Sequence, residues 1–209
     1  MPWVSKAFEV SRELRVGNTN PAATAAAAQL RVDGKVRPLP PLAVTTLSTK
    51  SDARDLLVDG SAARHLAAFV GADTNSGLAK GYAIDQCRAP GQDWWFAGLS
   101  TTAGNGASLV LVNPDNEDVI VSLTGYTKEG EAPRAEGRRI LVKASSQKVV
   151  DLALEFPAQT ALVIRAHMSE GRIAASVQAW SVTGPSPRGR SFVSPVTAPA
   201  DVIRIVGAQ

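Results

Sequence analysis

The side chains able to do chemistry in this chain are few and scattered. Cys87 is the single cysteine, with histidines at 65 and 167, the raw material of a thiol–imidazole nucleophile. A working thiolate needs a neighbouring motif that lowers its pKa, and none surrounds Cys87. It reads as an unpaired thiol near a domain junction, and one cysteine allows no internal disulfide. His65 precedes an apolar run and His167 precedes a turn, with no metal-ligand spacing, so both read as strand-end residues. Gly98-Leu99-Ser100-Thr101-Thr102 starts like a Gly-x-Ser-x-Gly elbow and fails at its last position. Asp115, Glu117 and Asp118 crowd one turn with oxygen ligands that suit calcium, but the glycine and terminal glutamate of a calcium loop are absent. A solvated hairpin tip is the simpler reading. Gly104-Asn105-Gly106 has no third glycine and no following helix, so it is a flexible turn and no phosphate cradle. The expectation is a protein without catalytic residues, metal or cofactor, the alternative being a hydrolase with an unrecognised site.

Trp94-Trp95-Phe96 is the most unusual run in a chain with only 5% aromatics. Strand side chains alternate, so Trp94 and Phe96 share one face and Trp95 takes the other. One reading offers Trp94 and Phe96 as a surface for a sugar or a protein partner. The other sets Trp95 in its own core and lays Trp94 and Phe96 against a neighbouring domain. Because so few aromatics are available to fill a core, Trp95 is the expected anchor.

The elements that position these residues are strands. Ser108 to Asn113, Val119 to Thr127, Thr160 to Ala166 and Ile173 to Trp180 are short β-favouring runs of period two, punctuated by Asn, Asp, Gly and Pro. Ile173, Ala175, Val177 and Ala179 fall on one face. Asn113-Pro114-Asp115-Asn116 is a turn, since proline presets φ and the Asn and Asp side chains bond the backbone. Ser169-Glu170-Gly171 reads as a hairpin loop with glycine at positive φ. One helical turn fits Ser51 to Leu57, capped by Ser51 or Asp52.

Sliding the sequence on itself gives ordered matches about 95 residues apart. Leu14-Arg15-Val16 before Asn20-Pro21 matches Leu109-Val110-Leu111-Val112 before Asn113-Pro114. The turns Asp33-Gly34 and Glu129-Gly130 follow, then Asp55-Leu56 against Asp151-Leu152, and His65 to Val70 against Ala161 to Ala166. Asn75-Ser76-Gly77 and its strand match Ser169-Glu170-Gly171 and its strand, while Trp3 leads into the first copy as Trp94 to Phe96 lead into the second. The expected architecture is all-β: two tandem immunoglobulin-like β-sandwich domains, residues 1–90 and 91–184, joined near Cys87 to Asp93. Residues 185–209 read as a Pro/Arg-rich extension that ends in a strand at Val202 to Val206.

Composition narrows the class further. With 44% hydrophobic and 20% charged residues the chain has enough apolar material for a core and too few charges for disorder. The net charge of +3 is scattered, and no basic face with interleaved aromatics marks a nucleic-acid binder. No apolar run approaches the roughly 20 residues that span a bilayer. Met1 to Lys6 lacks a signal-peptide pattern, which taken alone points to the cytoplasm.

Cys87-Arg88-Ala89-Pro90, Trp95-Phe96-Ala97-Gly98, Leu109-Val110-Leu111-Val112-Asn113-Pro114 and Gly171-Arg172-Ile173-Ala174-Ala175 together resemble an actinobacterial family of exported proteins of unknown function. The resemblance covers most of the second half strongly and the first half faintly, and carries no assigned catalytic residues. It implies export, a membrane anchor upstream of this segment, and an envelope setting. The expected function is therefore a non-catalytic cell-envelope or extracellular module that scaffolds or binds another envelope protein or a glycan. A carbohydrate-binding module using Trp94 to Phe96 is the alternative.

Overall fold

The computed structural model describes residues 10–18, 29–32, 35–49, 56–59, 66–74, 80–133 and 139–200. Trp3, Asn20-Pro21, Asp33-Gly34, residues 51–55, His65, Asn75-Ser76-Gly77 and Val202 to Val206 lie outside them. The described chain is nearly all β.

Among the described residues, seven strands come before residue 90: β1 (Val10–Asn18), β2 (Gln29–Val32), β3 (Lys35–Pro38), β4 (Ala43–Thr49), β5 (Leu56–Asp59), β6 (Leu66–Thr74) and β7 (Gly81–Gln86). They form the antiparallel sheets β4-β1-β6-β7 and β3-β2-β5. Leu56 and Leu57, expected in a helical turn, belong to β5.

Nine described strands follow: β8 (Asp93–Leu99), β9 (Asn105–Asn113), β10 (Val119–Thr127), β11 (Gly130–Glu131), β12 (Ile140–Val142), β13 (Ser146–Asp151), β14 (Leu162–His167), β15 (Ala174–Thr183) and β16 (Ser186–Val193). One sheet runs β11-β10-β14-β8, with β12 also on β10, and the other runs β13-β9-β15-β16. Their inward residues close one sandwich-like core. Trp94, Phe96 and Leu99 of β8 and Val121, Leu123, Ile164 and Ala166 of the same sheet meet Leu109, Leu111, Ala175 and Val177 of the other.

Local chemistry explains the connections. Asn113 is wholly buried and acts as a pin: its Nδ2 donates to Glu117 O (2.7 Å) and Val142 O (3.3 Å), and its Oδ1 accepts from Asp115 N (3.1 Å). Asp151 caps the short helix α1 (Leu152–Glu155), its carboxylate accepting from Ala153 N at 2.9 Å, and so turns buried Leu152 into the core.

Several expectations change. Residues 186–193, read as part of a Pro/Arg-rich extension, form β16 and pair with β15 along its length. Ser169-Glu170-Gly171 does carry a positive-φ glycine (+72°), but β14 and β15 lie in different sheets, so it is a crossing loop and not a hairpin. Asn105 and Gly106, expected in a flexible turn, open β9. In β8 the phase is opposite to the expected one. Trp94 and Phe96 are 8% and 0% exposed, whereas Trp95 lies on the outer face, half-buried. Period two says that 94 and 96 share a face; only the opposite sheet decides which face is inward.

This phase generates a prediction. Phe96→Ala should lower stability by about 3–5 kcal/mol, the usual cost of emptying a buried aromatic site. Trp95→Ala should shift the melting temperature much less. Comparable losses in the two variants would reverse the assignment.

Candidate partner-binding face

With Trp94 and Phe96 in the core, neither can serve as the expected ligand surface. Trp94 is further fixed there because its Nε1 donates to Ile173 O at 3.0 Å. The aromatic side chain that reaches the outer face is Trp95, and the register of three neighbouring strands builds a cluster around it. Arg165 of β14 lies opposite Trp95 of β8, His167 opposite Asp93, and Tyr126 of β10 opposite Val163.

The rings of Trp95 and Tyr126 stack with centroids 5.6 Å apart and planes 19° from parallel. The Arg165 guanidinium sits 5.2 Å from the centroid of the Trp95 ring, within cation–π range. The same guanidinium grips Asp93 with both prongs, Nε to Oδ1 at 2.8 Å and Nη2 to Oδ2 at 3.0 Å. This planar fork fixes Arg165 against the ring more firmly than a point charge would. His167 Nδ1 lies 3.8 Å from Asp93 Oδ1.

Asp93 is therefore the hub. Hydrogen bonding from Arg165 holds its carboxyl below the usual carboxylate range, and the Trp95 indole N–H adds a smaller pull. That N–H and His167 Nδ1 are both buried as atoms, and each faces the Asp93 carboxylate without reaching full hydrogen-bond geometry. Buried polar groups usually find partners, and for these two the partner is the loosely approached Asp93. Chemically the face presents a braced aromatic–cation surface with two loosely held nitrogens. Its carboxylate is occupied by an ion pair.

The other chemistry-bearing residues are put to structural use. Cys87 is half-buried, and burial foremost, then the Asp85 charge, pushes its thiol pKa up despite nearby Arg88. Its backbone N–H donates to Ala68 O at 2.8 Å. Asp115 binds Arg172 with both oxygens at 3.0 Å, Asp118 Oδ1 accepts from Ala144 N at 2.8 Å, and the backbone carbonyl of Glu117 accepts from Asn113. Thr101 Oγ1 donates to Phe156 O at 2.6 Å, so the failed elbow is a brace between loops. No group of three His, Cys, Asp or Glu side chains suited to a metal occurs among the described residues. His65 lies outside them.

Asp93, Tyr126 and Arg165 were not singled out in the sequence. Alternation places Tyr126 with Thr124 and Arg165 with His167, yet their meeting depends on the register across β10, β14 and β8, which no local pattern carries.

The ion pair yields a pH prediction. Because the folded pKa of Asp93 is depressed, its contribution is present above the unfolded value of about 3.9 and is lost as pH falls through the lower folded value. A double-mutant cycle of Asp93→Asn and Arg165→Gln should give a coupling of a few tenths to about 1 kcal/mol at pH 7, the range of exposed pairs. The coupling should fade only below the ordinary carboxylate range. Coupling that persists well into that acid limb would show that it does not come from the charge.

Comparison with known proteins bears on the family. A structural search finds a crystal structure of the Thermotoga maritima protein 1070 at a TM-score of 0.42 and 12% identity, covering 51% of this chain and 96% of that one. The curated proteins contain no significant match. A family model described as a family of unknown function, DUF5719, matches residues 43–209. That span runs from β4 through the whole β8–β16 sandwich, including the Trp95 face, and the chain belongs to the DUF5719 family.

Proposed function

We propose that the protein is a non-catalytic module of the cell envelope or extracellular space, built from two tandem immunoglobulin-like β-sandwiches, that scaffolds or binds another envelope protein. The observation that carries the binding role is the convergence of Trp95, Tyr126 and Arg165 on one outer sheet face. Trp, Tyr and Arg are the residue types that dominate hot spots of protein interfaces. Here the arginine is prepaid in conformational entropy by its fork to Asp93, so a partner need not order it. Ile120 and Leu141, 49% and 47% exposed and paired across β10 and β12, extend the same sheet with apolar area.

A sugar platform fits less well. Stacking on a pyranose needs an open aromatic face, and Tyr126 and Arg165 already engage the π surface of Trp95. The setting rests on the resemblance of the Cys87–Pro90, Trp95–Gly98 and Leu109–Pro114 motifs to exported proteins. An upstream membrane anchor belongs to the same proposal. Among the described residues, no helix is long and apolar enough to cross a membrane.

The test is site-specific photo-crosslinking in the native cell. A crosslinker at Thr124, on the Trp95 face, should give one discrete protein adduct, and one at Val149, exposed on the other sheet, should not. Trp95→Ala should cut the adduct roughly thirtyfold, the equivalent of a 2 kcal/mol hot spot. Competition of the adduct by soluble envelope glycan would favour the carbohydrate reading. Equal labelling from both faces would remove this face from the function.

A further inference from the structure

The strand pairing of the first half repeats that of the second. The sheet β4-β1-β6-β7 has the order of β13-β9-β15-β16, and β3-β2-β5 has the order of β12-β10-β14. Each strand from β1 to β7 therefore has a counterpart at the same place in the chain order and in the sheet. Registers agree as well. Leu14 lies between Leu47 and Val70, and Leu109 between Val150 and Val177. Carried one strand further, Asp85 matches Val193, and the pair Thr74–Gly81 matches the pair Ser181–Gly189.

Two details that pairing does not impose agree with this match. Asn18 and Asn113 end their strands buried, at 2% and 0% exposed, and each sends its side-chain amide to the backbone of the returning segment: Asn18 Nδ2 to Leu39 O at 3.2 Å, Asn113 Nδ2 to Val142 O at 3.3 Å. Gly81 and Gly189 hold nearly the same φ, +143° and +139°, in a region that only glycine enters freely.

The counterparts also touch. A Cβ placed on Gly81 would lie 3.6 Å from the backbone N of Arg190 and 3.9 Å from Cα of Gly189, its own match. Four residues on, Asp85 Oδ1 meets Ser194 Oγ at 3.4 Å. β7 and β16 thus run parallel, with Gly81 and Asp85 each beside its counterpart or the next residue. Meeting of the same sheet edge from both halves, β7 against β16, is the mark of an isologous, two-fold interface. Arg190 spans the junction, donating from Nη1 to Thr74 Oγ1 and from Nη2 to Gln178 Oε1 at 3.1 Å.

We infer that the chain is an internal duplication whose halves dock about a pseudo-twofold axis through the equivalent edge strands β7 and β16, and so move as one rigid unit. The docking fixes the Trp95 face relative to the first half. It rests on pairing and contacts, independently of any partner.

Nitrogen-15 relaxation of the full chain tests it directly. All strands should report one rotational correlation time, that of a 21.9 kDa body. Two separate correlation times, one for each half, would overturn the docking. A second experiment covers the interface itself. Asp85→Cys with Ser194→Cys, on a Cys87→Ser background, should oxidise to near-complete intramolecular crosslinking without change in the relaxation data. Failure of that pair to crosslink in a folded chain would sink the parallel contact. For the duplication, an experimental structure should superpose residues 10–86 on 105–193 strand for strand, and any other strand order refutes it.

Discussion

The phase of β8 governs the rest of the second half. This strand places Trp94 and Phe96 inside and Trp95 outside, and the choice is made by the sheet it faces. Phe96 is fully enclosed, and Trp94 satisfies its indole N–H on Ile173, so both large rings are committed to the core. A one-residue slip would expose them and drive Trp95, Asp93 and Ala97 inward, with a carboxylate among them. The outward cluster follows directly. Once Trp95 points out, pairing with β14 puts Arg165 beside it and Asp93 beside His167.

Polar groups in this protein divide by depth. Three buried ones in the second half are satisfied by backbone: Asn113 on two carbonyls, Thr101 on Phe156, Trp94 on Ile173. Leaving such a group unpaired costs about 1–3 kcal/mol, so these bonds select one loop arrangement over its neighbours. The ion pairs Asp93–Arg165 and Asp115–Arg172 lie at the surface, where charge attraction in water adds little to stability. Their use is geometric. Asp115 anchors the strand-linking turn to Arg172, and Asp93 holds a guanidinium over an aromatic ring.

The matched halves have kept their pins and changed their faces. Both retain the strand-ending asparagine and the extended glycine on the docking strand, features that backbone geometry demands. Outward residues are free of that demand. The first half exposes Val44, Phe69, Tyr82 and Ile84 on the β4-β1-β6-β7 sheet, while the second carries its aromatic–cation cluster on the sheet that contains β8. No strand described in the first half is the counterpart of β8.

What the sequence determined by itself is what period and turn chemistry carry. The β class, the shared inward face of Ile173, Ala175 and Val177, the Asn113-Pro114 turn and the positive φ at Gly171 all follow from local rules. The duplication inferred from strand pairing uses a different alignment from the sequence repeat. Asn18 is the structural match of Asn113 in place of Asn20, β6 matches β15 in place of β14, and the spacing grows from 95 at Leu14 to 108 at Asp85, not a constant 95. Short alternating strands look alike, so composition cannot say which strand is which; hydrogen-bonded neighbours can. Tertiary structure alone decided the inward phase of β8, the strand identity of residues 186–193, and the meeting of Asp93, Trp95, Tyr126 and Arg165. Each of these depends on register between segments tens of residues apart, and register is set by packing against a second sheet, a partner that no local window of sequence contains.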